Sequence, residues 1–263
     1  MDNWSLGAGA VALAVLPVYL YVGERLRRRP VPASAQLASS QFVVWWWGIG
    51  LAGASSGVEA ILWAFGVLTL PTAITFQVLV VILDCVFLWG LLGYLTYIYT
   101  GRNRLVPWSV FYIAFFVVTL NYEFTLQPIG VSAPRGAPQL VFAHVAVLGD
   151  PVVIYVLFGL LVPEIAGLVL YFTLFFRTHD RTLRYRIGLV TLSLALWFGV
   201  TFYTPPSSAI LPQLWTLLSA IIEASASLIA LLAYFPPEGV QRRFRIGSLS
   251  NSEERPEGRP ASE

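Results

Sequence analysis

The chain has 263 residues, of which 57% are hydrophobic and 11% are charged, and its mean hydropathy is +0.73. A soluble domain carries about a quarter charged residues, so this composition excludes an ordinary soluble protein and favours an integral membrane protein. The net charge of +2 gives no reason to expect nucleic acid as a partner. The single cysteine, Cys85, excludes an internal disulfide and a cysteine-based metal cluster, and the sequence contains no lysine.

Seven apolar runs are long enough to cross a bilayer as helices, which takes about 20 residues each. We therefore predict an all-α polytopic membrane protein, a bundle of seven transmembrane helices in a domain of residues 1–237. A cytoplasmic, largely disordered tail is expected at 238–263, because its last part is polar and poor in aromatic residues. The predicted spans are 5–22, 41–66, 76–99, 107–122, 152–176, 187–203 and 211–235.

The arginines indicate how the spans are oriented. All of them except Arg135 fall in four clusters, which follow the first, third, fifth and seventh apolar runs. Cytoplasmic loops carry an excess of Lys and Arg, so we predict a cell-membrane protein with its N-terminus outside and its C-terminus in the cytoplasm. The clusters are Arg25–Arg29, Arg102–Arg104, Arg177–Arg186 and the tail from Arg242.

The longest predicted outer segment, 123–150, contains two stretches that favour strands, Phe124–Val131 and Gln139–Val147. The residues between them, Ser132–Pro138, are typical of turns, so we expect a β-hairpin. Such a hairpin would either lie over the outer mouth of the bundle or serve as an ordinary connector.

Four acidic residues lie inside the predicted spans: Glu59, Asp84, Glu164 and Glu223. The rise of an α-helix places the first two about 10–12 Å, and the last two about 18 Å, below the outer boundary. No arginine is available at those depths. Ionisable groups in a membrane are costly and are functional candidates by default. We predict that the four converge on one ligand-binding cavity in the outer half, although each alone could be a structural interhelical hydrogen bond.

Polar residues at helical spacing extend this predicted site. Ser219 and Ser227 share a face with Glu223, in the pattern of an inward-facing stripe. Gln77 lies one heptad before Asp84. We therefore include these three uncharged residues among the expected ligand-binding groups.

Two features predict how the helices bend and approach one another. Pro163 cannot donate to the carbonyl of Gly159, so we expect a hinge there, with Glu164 or a water close to that carbonyl. Gly53 and Gly57 are four residues apart, a spacing that permits close helix approach.

Motifs for metal binding and catalysis are missing. The two histidines, His144 and His179, fall on opposite predicted sides of the membrane, whereas a zinc site needs three or four clustered ligands. No glycine-rich phosphate loop and no Gly-x-Ser-x-Gly motif occurs. We predict no metal and no catalytic residue; a non-enzymatic role is favoured, and an enzyme remains open.

Short motifs carry a resemblance to one family. Tyr99-Thr100-Gly101-Arg102 closes the third run, Leu120-Asn121 ends the fourth and Gly149-Asp150-Pro151 opens the fifth. With these motifs, residues 41–235 resemble the N-terminal seven-transmembrane sensor region of prokaryotic histidine kinases. Such kinases carry soluble signalling domains after the seventh helix, and this sequence has no kinase domain. The resemblance therefore implies a detached sensor, or one that signals through a separate cytoplasmic partner.

The last run also resembles the corresponding helix of microbial rhodopsins. Pro212 precedes Glu223, and in Glu223–Ser227 an acid stands four residues before the position of the retinal-bearing lysine. Ser227 occupies that position here. A Schiff base needs an amine, so the absence of lysine excludes covalent retinal, and we predict no cofactor. Noncovalent binding of retinal or another apolar chromophore remains open.

We therefore predict a receptor-like sensor that binds a small apolar or weakly cationic ligand in the outer half of the bundle. Its arginine-rich inner loops would contact a cytoplasmic signalling partner. One alternative is a proton or cation pathway, or an opsin-like protein without covalent retinal. The other is an intramembrane enzyme acting on a lipid or isoprenoid. Against a pathway, the inner half of the predicted spans has no acidic residue; against an enzyme, the four acids have no recognisable motif spacing.

Overall fold

The computed structural model of the chain describes residues 2–133, 137–147, 149–202 and 212–244. Helices dominate this part of the chain, and two short strands lie between the fourth and fifth helices. The elements are α1 (Asn3–Arg27), α2 (Gln36–Ala64), α3 (Leu70–Thr100), α4 (Leu105–Thr125), β1 (Pro128–Ser132), β2 (Gln139–Phe142), α5 (Pro151–Arg177), α6 (Arg181–Phe202), α7 (Pro212–Tyr234) and α8 (Glu238–Phe244).

Six helices, α1 and α3 to α7, are long and apolar enough to cross a membrane. This indicates a multi-pass, all-helical membrane protein. Helix α2 has 29 residues but is not one of the six, because its three consecutive tryptophans and its glycines and serines lower its hydropathy.

The seven long helices pack in a ring that follows chain order. Each contacts the next, α7 returns to α1, and α3 also contacts α5 inside the ring. Helix α2 runs antiparallel along α1, since Gly9 lies beside Gly57 and Gly23 beside Trp47. This arrangement places α1, α2, α3 and α7 next to one another.

Aromatic side chains fill the core where α1, α2 and α7 meet. Trp45 and Trp46 are buried, with exposed fractions of 2% and 3%. The Trp46 ring lies 6.0 Å from that of Tyr19 on α1 and 6.0 Å from that of Tyr234 on α7. Two of the three consecutive tryptophans therefore pack inside the bundle.

The strands β1 and β2 are antiparallel, with Val131 opposite Leu140. Both contact α3. The first predicted strand, Phe124–Val131, begins too early, because α4 continues to Thr125. The second, Gln139–Val147, is too long, because β2 ends at Phe142.

The chain after α7 continues with a short helix, α8, at the start of the predicted tail. Helix α8 starts after Pro237, and the side-chain amide of Gln241 donates to the carbonyl of Pro236 at 2.7 Å. Arg242 and Glu238 lie one helical turn apart in sequence, and they form an ion pair with 3.2 Å between Nη2 and Oε2. The remaining tail, 245–263, lies outside the described residues.

Candidate functional site

A cavity of about 430 Å³ lies between α1, α2, α3 and α7. Residues 137 and 138, from the segment that joins β1 to β2, contribute to its wall. Three of the four predicted acids line it: Glu59 from α2, Asp84 from α3 and Glu223 from α7. The other polar groups that line it are Tyr19, Ser56, Gln77, Thr216 and Ser219. Gln77 and Ser219, two of the predicted ligand-binding residues, are thus brought to the same cavity as the three acids.

Small residues explain the shape of the cavity beside the close crossing of α1 and α2. A Cβ atom at Gly9 would lie 2.5 Å from the carbonyl oxygen of Gly57, so these two positions permit the α1–α2 approach. Gly53 has nothing within 4 Å of its Cβ position and lines the cavity. The two glycines of the predicted motif therefore differ: Gly57 brings helices together, whereas Gly53 leaves space.

The cavity is acidic among the residues that the structure describes. Its described lining includes three carboxyl groups and no arginine. The ion pairs of the described chain join Glu24 and Glu238 to arginines, so none of them involves a cavity carboxyl. Such a site attracts cations and hydrogen-bond donors, because carboxylates accept hydrogen bonds and carry negative charge.

Glu164 does not line this cavity, which corrects the expectation that all four acids converge. It is only 4% exposed, and its Oε2 atom has no hydrogen-bond partner in the described part of the chain. Its carboxyl interacts electrostatically with that of Asp84 and with Tyr112. The reason for its position is the ring order, since α5 packs against α3, α4 and α6 while α1, α2 and α7 enclose the cavity.

Ser227 is also absent from the cavity wall. It is 1% exposed, and its hydroxyl donates to the carbonyl of Ala224 at 2.7 Å, within its own helix. It lies two helical turns below Ser219, so it shares the helix face without reaching the cavity.

The predicted hinge faces the bundle. Gly159 and Pro163 are both buried within a helix that continues from Pro151 to Arg177. The hydroxyl of Tyr112 donates to the carbonyl of Gly159 at 3.3 Å. The predicted partner of the Gly159 carbonyl is Glu164 or a water. Tyr112 belongs to a different helix, so the sequence around Gly159 gives no sign of it. Whether the helix bends there stays a prediction.

Glu123 is not among the predicted site residues. The predicted fourth span ends at residue 122, which leaves Glu123 in the outer loop, whereas α4 includes it. Its Oε1 atom accepts a hydrogen bond of 3.0 Å from Nε2 of Gln77, and its charge interacts with that of Asp84. The sequence signal that indicates a longer fourth helix is Phe124, an apolar residue that follows Glu123 and extends the fourth apolar run from residue 122 to residue 124.

A second cavity of about 410 Å³ contains Glu123. It lies beneath the strands, between α2, α3, α4 and the start of α5. Thr119 lines it, is 6% exposed, and its hydroxyl has no partner in the described structure. Glu59 and Gln77 line both cavities, so the two adjoin.

The described residues contain no group of three or more His, Cys, Asp or Glu side chains able to hold a metal ion. No family model, curated protein or solved structure matches the chain. The function is therefore argued from the cavities and their lining.

Proposed function

We propose that this protein is a seven-span membrane sensor that binds a small, weakly cationic ligand with an apolar part in the cavity of about 430 Å³. The observation that carries the proposal is the meeting of Glu59, Asp84 and Glu223 at one cavity whose described lining has no arginine. The ligand signal would pass to a separate cytoplasmic partner. The resemblance to histidine-kinase sensor regions agrees with such a role.

The cavity suits an amine with a hydrocarbon part. Two opposite charges 4 Å apart attract by about 4 kcal/mol at an effective dielectric constant of about 20. The side chains of Tyr19 and Trp197 also line the wall, and aromatic faces attract cations by about 0.5–2 kcal/mol. Apolar residues such as Val80 supply contact for the hydrocarbon part. The cavity volume lies within the range of small-molecule sites, about 300–1,000 Å³.

The seven-span count depends on α2. Gly9 of α1 lies beside Gly57, and Gly48 of α2 lies beside Phe87 of α3. Helix α2 thus runs between two helices that are long enough to cross a membrane, and it covers much of their length. A buried position explains its lower hydropathy, since a helix shielded from lipid tolerates glycine and serine. This supports a crossing by α2 as well.

The arginines support an inside C-terminus. The guanidinium of Arg25, at the end of α1, lies 5.6 Å from the ring of Phe235, just after α7. The ring of Tyr185, near the start of α6, lies 6.0 Å from that of Phe244 in α8. Three of the arginine clusters therefore gather at one end of the bundle. By the positive-inside rule this end faces the cytoplasm, where a signalling partner would bind.

A cation pathway fits this geometry less well. The same cavity wall contains Tyr19, Phe87 and Trp197, and the buried Trp46 packs against Tyr19. The acid at the inner end of α1, Glu24, is paired with Arg27 and Arg28 at 2.7 and 2.8 Å. Among the described residues of the cavity wall, the three carboxyl groups adjoin aromatic side chains, and the inner acid Glu24 is already paired with arginines.

Calorimetry on the protein in nanodiscs of zwitterionic lipid tests the proposal. The probes are phenethylamine and its neutral counterpart phenethyl alcohol, and empty nanodiscs correct for partitioning into lipid. We expect Glu223→Gln to weaken phenethylamine binding by about tenfold, equivalent to about 1.4 kcal/mol. Binding of the alcohol should change little, because no charge is lost from its interaction.

The matched control is Glu238→Gln, which removes an exposed carboxyl from α8 and should leave both affinities unchanged. Equal binding of amine and alcohol, or equal effects of the two substitutions, would show that the cavity does not act as a cation site.

A further inference from the structure

The two outer cavities share a wall, and this bears on the kind of ligand they hold. Glu59 and Gln77 line both, and so does Pro138 from the segment above them. Each cavity has a volume of about 400 Å³, enough for many water molecules at about 30 Å³ each. A ligand can therefore extend from one cavity into the other without leaving the protein.

The second cavity has polar groups of its own. Glu123 accepts one hydrogen bond from Gln77, at Oε1, and a carboxylate has about four acceptor positions. Thr119 adds a hydroxyl that is 6% exposed and has no partner in the described part of the chain. Buried hydroxyls are normally hydrogen-bonded, and an exception calls for an explanation such as an absent ligand or water. Thr119 precedes Glu123 by one helical turn, so the two side chains lie side by side at the wall of this cavity.

The charges at the two ends have the same sign. Asp84 and Glu223 line only the first cavity, Glu123 only the second, and Glu59 both. No arginine is among the described residues that line either one. A ligand with one ammonium group would neutralise one end and leave the other unpaired. Apolar side chains such as Val80 and Leu140 line the walls as well, and they suit a hydrocarbon chain.

We propose that the natural ligand is a linear diamine, with one ammonium group near Asp84 and Glu223 and the other near Glu123 and Thr119. This inference rests on the proposed function, since it requires a cation site in the first cavity. It adds a ligand class, and it makes Glu123 a determinant of specificity. Glu59 lines both cavities and therefore lies between the two ends.

Calorimetry with cadaverine and pentylamine tests the inference, because the two differ only in the second amino group. Putrescine and octamethylenediamine, each beside the alkylamine of the same length, extend the series to shorter and longer spacings. We expect a diamine of the matching length to bind about tenfold or more tightly than its monoamine. Glu123→Gln should lower the diamine affinity to that of the monoamine and leave the monoamine unchanged.

Unchanged monoamine binding also shows that the variant is folded, because glutamine can still accept from Gln77. Thr119→Val should weaken the diamine alone, by a smaller factor. If diamines and monoamines bind equally at every length, or Glu123→Gln weakens both equally, the diamine inference is wrong while the cation site stands. If no amine binds at all, both proposals are wrong.

Discussion

The hydroxyl of Tyr112 on α4 donates a hydrogen bond of 3.3 Å to the carbonyl oxygen of Gly159 on α5. That carbonyl lies four residues before Pro163, which has no N–H group to pair with it. An unsatisfied backbone group in hydrocarbon costs several kcal/mol. The contact between two helices therefore stabilises a proline in the middle of a membrane helix.

Removing this hydroxyl should destabilise the protein only while the proline is present. We expect Tyr112→Phe to lower the free energy of unfolding by about 1–3 kcal/mol, because the Gly159 carbonyl is left unsatisfied. In a Pro163→Ala background the same change should cost less, since alanine restores the intrahelical donor. Reversible unfolding in mixed detergent micelles measures both. Tyr155→Phe, which alters a tyrosine in the same aromatic cluster, is the control. Equal costs in both backgrounds would contradict the relationship.

Two glycines on facing helices should respond oppositely to alanine. Gly9→Ala brings a methyl group within 2.5 Å of the Gly57 carbonyl oxygen, and we expect a loss of about 1–3 kcal/mol from the forced separation of α1 and α2. Gly53→Ala meets nothing within 4 Å and should be neutral or stabilising by up to about 1 kcal/mol, the difference in helix propensity. Unfolding of the two variants side by side decides the matter; similar effects would refute the close crossing.

The orientation of α2 can be tested with single cysteines on either side of it. Val31 and Val67 flank the helix and are 37% and 57% exposed. In a Cys85→Ala background, we expect Val67→Cys to react with a membrane-impermeant maleimide in intact cells, and Val31→Cys only after permeabilisation. Reaction of both from the same side would mean that α2 does not cross. A C-terminal tag reached from outside would overturn the inside assignment of the tail.

Gln41 should be dispensable for stability. It is 1% exposed, and neither atom of its amide group has a hydrogen-bond partner among the described residues. Gln41→Met keeps a similar volume and removes a polar group buried without partners, so we expect equal or higher stability, by up to about 2 kcal/mol. Gln36→Met, at an exposed position of the same helix, should change stability by less than about 0.5 kcal/mol. A large loss at Gln41 alone would reveal a bound water or a partner.

The sequence predicted α4, α5 and α7 to within three residues at each end, whereas α1, α2, α3 and α6 each extend five or six residues further at one end. The errors at α4 and at Glu164 have physical causes. Helix α4 continues to Thr125, past the predicted end at residue 122, because an acidic residue at the end of a helix need not terminate it. That single error hid Glu123. Glu164 was expected in the shared cavity on the strength of its depth, but depth along a helix says nothing about which neighbour its side chain faces.

What the sequence determined by itself was the apolar runs, the arginine clusters that mark one end of the bundle, and the depth of each acid. These are properties of single helices, since hydropathy, charge and rise per residue can be read along one segment. Only the tertiary structure decided that Glu59, Asp84 and Glu223 share a cavity and that Glu164 is not among the residues that line it. This depends on the order of the helices in the ring and on the rotation of each one. Both follow from contacts between distant residues, such as Gly9 with Gly57 and Tyr112 with Gly159.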